Sequence, residues 1–179
     1  MNPFKKVILI GTSGCGKTTL GNRLAMLSGL KMIDLDNLYW EPLWVKQSEE
    51  VFFKLIQKEV ANNSWIICGN YSRIQKIIWP KADMIIWLDL PFLCCLYRVL
   101  KRSILQLITK KEFCNGNYET FSRLFGKHSI LLWVWKTYAR RKAVYSEYFT
   151  KHSDKPNLVR LRIGREVKAF LERFYRDRG

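Results

Sequence analysis

Continuous aliphatic and β-branched runs at residues 7–10, Trp65–Cys68 and Met84–Leu88 predict three buried strands, and shorter runs at 31–34 and 158–163 predict two more. Between them the period changes. Leu20, Leu24 and Leu27 recur at helical spacing, as do Val51, Phe52, Leu55, Ile56 and Val60 behind a Ser48-Glu49-Glu50 start. Pro91 stands where a helix would follow the fourth strand, residues 129–148 read as one helix rich in Trp and Tyr, and Val167, Phe170, Leu171 and Phe174 mark a closing amphipathic helix. Strands that are apolar on every residue and alternate with helices predict a parallel sheet covered on both faces. The exception is the stretch 109–127, where the pattern turns polar and predicts a mobile segment. There is no internal repeat and no linker, so residues 1–179 read as a single domain.

Composition narrows the picture. The chain has 179 residues, 48% of them hydrophobic, which suits one domain with a sizeable core and excludes disorder. The longest apolar stretch, 84–100, is broken by Asp89, Pro91 and Arg98, so no membrane span is expected. Asp89 itself reads as an end-of-strand cap. Five cysteines, at 15, 68, 94, 95 and 114, form no CxxC pair, and with no signal peptide they point to free thiols in the cytoplasm. The formal charge is +16, and residues 98–179 carry +13 of it. Such a surface prefers anions: nucleic acid, anionic lipid or phosphorylated small molecules.

The candidate chemistry begins after the first strand. Gly11-Thr12-Ser13-Gly14-Cys15-Gly16-Lys17-Thr18 fits G-x-x-x-x-G-K-[ST] in full, placed between a strand and a helix as that motif requires. The glycines let successive backbone N–H groups face an anion, and the helix N-terminus adds its partial positive charge. Residues 11–18 with Thr19 are the expected nucleotide site, with Lys17 reaching the β- and γ-phosphates and the Thr18 hydroxyl on Mg²⁺.

With this loop, the five strands, Asp34-Leu35-Asp36 followed by Tyr39-Trp40, then Gly69-Asn70-Tyr71, Leu88-Asp89-Leu90-Pro91 and paired basic residues on either side of a lid, the chain resembles the small P-loop kinases of the adenylate and shikimate kinase type. Within them it looks closest to the adenylate-kinase-like DNA topology modulation proteins. The resemblance implies a three-layer α/β/α sandwich on a five-stranded parallel sheet of order 2-3-1-4-5, with a helical lid at about 109–127. It implies ATP and Mg²⁺ as cofactors. Asp34 would share the metal with Thr18. Asp34, Asp36, Trp40, Gly69, Asn70, Tyr71 and Arg73 would hold the acceptor, with Asp36 as proton acceptor. Arg98, Arg102 and Arg140 would grip phosphates beside Lys17. One departure stands out: the family usually has an Asp before the strand-three glycine, and this chain has Cys68. That shifts metal binding to Asp34 or Asp36.

The expected function is transfer of the γ-phosphoryl group of ATP to a small acceptor, a nucleoside monophosphate or a hydroxyl compound. The alternative is a nucleotide-regulated nucleic-acid-binding protein, for which the basic second half and the Trp/Tyr-rich helix speak. No DNA- or RNA-reading motif accompanies them.

Overall fold

A computed structural model describes residues 4–126, 129–155 and 157–176. The described residues form thirteen helices and strands: β1 (Lys6–Gly11), α1 (Lys17–Ser28), β2 (Met32–Asp34), α2 (Leu35–Tyr39), α3 (Glu49–Val60), β3 (Trp65–Cys68), α4 (Ser72–Ile78), β4 (Met84–Leu88), α5 (Phe92–Thr109), α6 (Phe121–Phe125), α7 (Ile130–Lys151), β5 (Leu158–Leu161) and α8 (Gly164–Arg176). The sheet is parallel throughout and runs β2-β3-β1-β4-β5. This is the expected five-stranded order with helices on both faces.

The unbroken apolar strands are explained by that layering. Along β1, Val7 and Leu9 enter one core with Leu20, Leu24 and Cys95, joined by Phe170 and Phe174 of α8. Ile8 and Ile10 enter the other with Phe52, Ile56, Ile74, Trp87 and Tyr145. Alternate side chains leave opposite faces of a strand, so a strand covered on both sides must be apolar at every position. Asp89 does more than cap β4. Its carboxylate accepts from Arg160 of β5 at 2.6 and 3.0 Å, and that guanidinium lies 4.2 Å over the Trp87 ring.

The segment predicted as mobile is partly ordered. It contains α6, capped by Thr120 and anchored by the buried Leu124, and Ser103 on α5 donates to Glu119 at 2.9 Å. The end of the predicted lid, Lys127, lies outside the described residues. No helix among the described residues is long and apolar enough to cross a membrane.

The loop after β1 is pressed against its neighbours. Gly14 has φ +82°, and a Cβ there would meet the Cys95 carbonyl oxygen at 2.4 Å and Val99 Cγ2 at 2.7 Å. Backbone cannot yield as a flexible side chain would. Gly14→Ala is therefore expected to cost at least about 2 kcal/mol, from strain and overpacking together. Chemical denaturation of the two proteins measures it; equal midpoints would contradict this packing.

Candidate functional site

The carboxyl ends of β1, β2 and β3, the N-terminus of α1 and the inner sides of α5 and α7 enclose a cleft of about 1850 Å³. Ligands bind at this edge in open α/β sheets, because loops and helix N-termini converge there. Every proposed residue except Gly11 and Thr12 lines it, and the carbonyls of those two accept from Lys17, which does.

The loop's conformation follows from its glycines. Gly11, Gly14 and Gly16 hold φ values of +141°, +82° and +99°, a region that side chains disfavour. Gly16 caps α1 in left-handed geometry, and no side chain caps the helix, so its first N–H groups are left for an anion. Lys17 Nζ curls over the loop and donates to the Gly11 and Thr12 carbonyls at 2.8 and 3.1 Å. Cys15 is buried inside the turn, and burial raises its thiol pKa despite the nearby Lys17. Arg98 reaches across from α5 to donate to the Cys15 carbonyl at 3.5 Å. Arg102, one turn on, is exposed at the rim.

The two aspartates separate into different environments. Asp34 ends β2 and caps α2, accepting the Asp36 N–H at 3.1 Å, and its other oxygen accepts the Thr18 hydroxyl at 3.1 Å. Burial and the neighbouring Asp36 raise its pKa, while the bonds from Asp36 N–H and Thr18, and Lys17, pull it down. A small cation shared by this carboxylate and hydroxyl would relieve that penalty. Hard oxygens, few in number, suit Mg²⁺, which keeps water and phosphate for its remaining positions. Cys68 lies beside Asp34 in register on β3, and its Sγ faces the Lys17 carbonyl at 3.5 Å. Burial pushes that thiol well above its usual range, so it stays a neutral packing group. Asp36 sits one half-turn on, exposed, and accepts the Tyr71 hydroxyl at 2.7 Å.

The remaining residues divide between open and engaged. Gly69 has φ +149° and a Cβ there would strike Leu35, so only glycine fits the position. Asn70 is committed to the phosphate loop: its side-chain oxygen accepts Gly11 N–H at 3.0 Å and its amide donates to the Gly11 carbonyl. The Tyr145 hydroxyl from α7 donates to the same Asn70 oxygen at 3.2 Å. Arg73 is exposed and ion-paired with Glu49. Trp40 packs edge-on against Trp44, and Arg123 lies 3.7 Å over Trp44.

The paired arginines after the lid are not equivalent. Arg140 is exposed at the rim, whereas Arg141 is half-buried and its Nη1 has no hydrogen-bond partner among the described residues. Burial lowers its pKa, opposed by Tyr145 and Asp36. The sequence holds a signal for this: Thr137, Arg141 and Tyr145 recur every four residues, and the first and last are buried. The same helix phase bears on nucleic acid. Tyr145, Tyr148 and Phe149 pack against Trp79 and Trp87 and offer no stacking platform, while Trp133 and Trp135 near the start of the helix are exposed.

Comparison with known proteins adds the following. A search of solved structures finds a shikimate kinase from Acinetobacter baumannii in complex with shikimate, with a TM-score of 0.55 at 16% identity over 99% of this chain and 96% of that one. A gluconokinase from Sinorhizobium meliloti 1021 aligns with a TM-score of 0.52 at 14% identity over 97% and 94%. The fold is that of the P-loop kinases. Among curated proteins, a shikimate kinase of Parabacteroides distasonis is 48% identical over 49 residues, 27% of this chain and 28% of that protein. The uncharacterized protein YqaC of Bacillus subtilis is 29% identical over 89 residues, 49% and 50% of the two. The matched stretches thus span half or less of those relatives. No protein-family model matches the chain.

Proposed function

We propose that the protein is an ATP-dependent small-molecule kinase whose acceptor is a hydroxyl compound. The observation that carries this reading is the division of labour between Asp34, hydrogen-bonded to Thr18 at the phosphate loop, and Asp36, two residues on and facing the acceptor side of the same cleft. Resemblance to shikimate kinase and gluconokinase in fold agrees with it.

Lys17 and the α1 N-terminus hold the β- and γ-phosphates, and Arg98 closes over them from α5. Thr18 and Asp34 would hold Mg²⁺, which when bound would neutralise charge developing on the phosphate oxygens. Asp36 takes the proton of the acceptor hydroxyl as its oxygen bonds to the γ-phosphorus and the bond to the β-phosphate oxygen breaks. Tyr71 orients that carboxylate. Arg141, whose buried Nη1 has no hydrogen-bond partner among the described residues, and Arg140 at the rim both line the cleft and steady the transferred group. Little covalent chemistry is asked of the protein; position and charge provide the rate. The lid keeps water from competing with the acceptor.

A coupled ADP-release screen against small hydroxyl compounds and nucleoside monophosphates tests this. Acceptor-dependent ADP release with a polyol or hydroxy acid is the expected result. Release that is equally fast without any acceptor would identify a bare ATPase instead.

A further inference from the structure

Two segments far apart in sequence are fastened together at the acceptor end of the cleft. One is the loop 40–46, closed on itself by a bridge between Trp40 and Lys46; the other is the lid turn 113–117, closed by a bridge between Phe113 and Asn117. Asn117 joins them and is only 2% exposed. Its side-chain oxygen accepts the Trp44 N–H at 2.6 Å, and its amide donates to the Glu41 carbonyl at 3.0 Å and to the Cys114 carbonyl at 2.6 Å. Around it, Asn115 donates to the Trp40 carbonyl at 3.2 Å and the Trp44 indole donates to the Tyr118 carbonyl at 3.0 Å. Phe113 meets the Trp44 ring edge-on at 5.2 Å, and Arg123 covers its face.

The backbone on both sides is strained. Among the described residues, the non-glycine positions with positive φ are Leu43, Trp44, Lys110, Cys114 and Asn115, all in these two segments or at the lid's start. Such conformations persist only where the surroundings hold them, and they gather at clamps and switches. Here each segment is held by the other. Trp44 keeps φ +60° while its N–H is bonded to Asn117, and Cys114 keeps φ +43° while its carbonyl accepts from the same side chain.

We propose that Asn117 is a positioning residue that clasps the lid to the 40–46 loop, so that the acceptor compartment is complete only when both segments are joined. Trp40, Trp44, Phe113, Cys114, Glu119 and Arg123 all line the cleft, and they come from the two sides of the clasp. The nucleotide end is held independently, by Lys17, Asn70 and Arg98 on the phosphate loop. Breaking the clasp therefore loosens acceptor binding and spares nucleotide binding. That the compartment takes an acceptor rests on the kinase reading; the clasp itself does not.

The test uses the full chain with Asn117→Ala, and Asn115→Ala as a milder variant that removes one bond. Amide hydrogen exchange should rise at least about tenfold in both 40–46 and 113–118 for Asn117→Ala, and less in the same places for Asn115→Ala, with β1 and β3 unchanged. Affinity for a non-hydrolysable ATP analogue should change less than about twofold, whereas KM for the acceptor found in the screen should rise about tenfold or more. Faster exchange confined to 113–118 in both variants, or weakened analogue binding matching the loss of acceptor, would overturn the clasp. Should Asn117→Ala unfold, the Asn115→Ala exchange map decides by the same criterion. A screen that yields no acceptor defeats the kinase reading and leaves the exchange result standing.

Discussion

Lys17→Ala is expected to lower ATP-dependent phosphoryl transfer on the order of 10³-fold, the scale seen when a charge-stabilising donor is removed from a site of this kind. The side chain lies against the Gly11 and Thr12 carbonyls, where its ammonium adds a full positive charge to the partial charges of the loop and helix N–H groups. Nothing else inside the loop can supply it: Arg98 meets the loop from the α5 side, at the Cys15 carbonyl. Lys17 carries no packing duty in either core, so the variant should keep its thermal midpoint. Steady-state ADP release and a melting curve together check both halves, and undiminished turnover would remove the nucleotide site from this loop.

Asp34→Asn should lower Mg²⁺-dependent turnover by about 10²-fold, because the neutral amide can still accept from Thr18 but no longer neutralises a cation. A magnesium titration of ADP release reads this directly. The same variant carries a stability signature with a definite sign. Burial and Asp36 raise the Asp34 pKa in the folded protein, so the folded state binds its proton more tightly than the unfolded chain. Metal-free stability contributed by this group is then highest at low pH. It falls as pH climbs from the ordinary carboxylate pKa up to the raised folded value, and stays low above it. Asp34→Asn removes that fall, so near neutral pH the metal-free variant should melt no lower than the parent, and Mg²⁺ should stabilise the parent more than the variant. A variant that melts lower without metal and gains as much from Mg²⁺ would leave Asp34 a structural cap of α2 alone.

The phosphate loop and the layered sheet were legible because each rests on local spacing. Apolar runs of strand length, helical periods between them, and three glycines around Lys17 all act over a few residues, and the physics that reads them is short-ranged. The short helices α2 and α6 escaped that reading. Each has five residues, too few for a period, and each exists because a cap and one buried leucine hold it, Asp34 with Leu35 and Thr120 with Leu124. At the site, the sequence pointed to Arg140, while the phase of α7 turns Arg141 inward. Asn70 read as an acceptor ligand, and its side chain is spent instead on Gly11 and Tyr145. Asn117 carried no signal at all, since an asparagine in a polar stretch looks like any turn residue.

The sequence by itself thus determined that strands of this chain are buried on both faces, that a phosphate-binding loop follows the first, and that most of a charge of +16 lies after residue 98. Tertiary structure decided which of those groups meet. It set Asp34 against Thr18, gave Asp36 to Tyr71, silenced Cys68 by burial, and fastened the polar segment after α5 to a loop 73 residues away through Asn117. The reason is range. Periodicity and turn chemistry are properties of neighbours in the chain, whereas the partners of a site are chosen by strand order and helix phase, which no local pattern records.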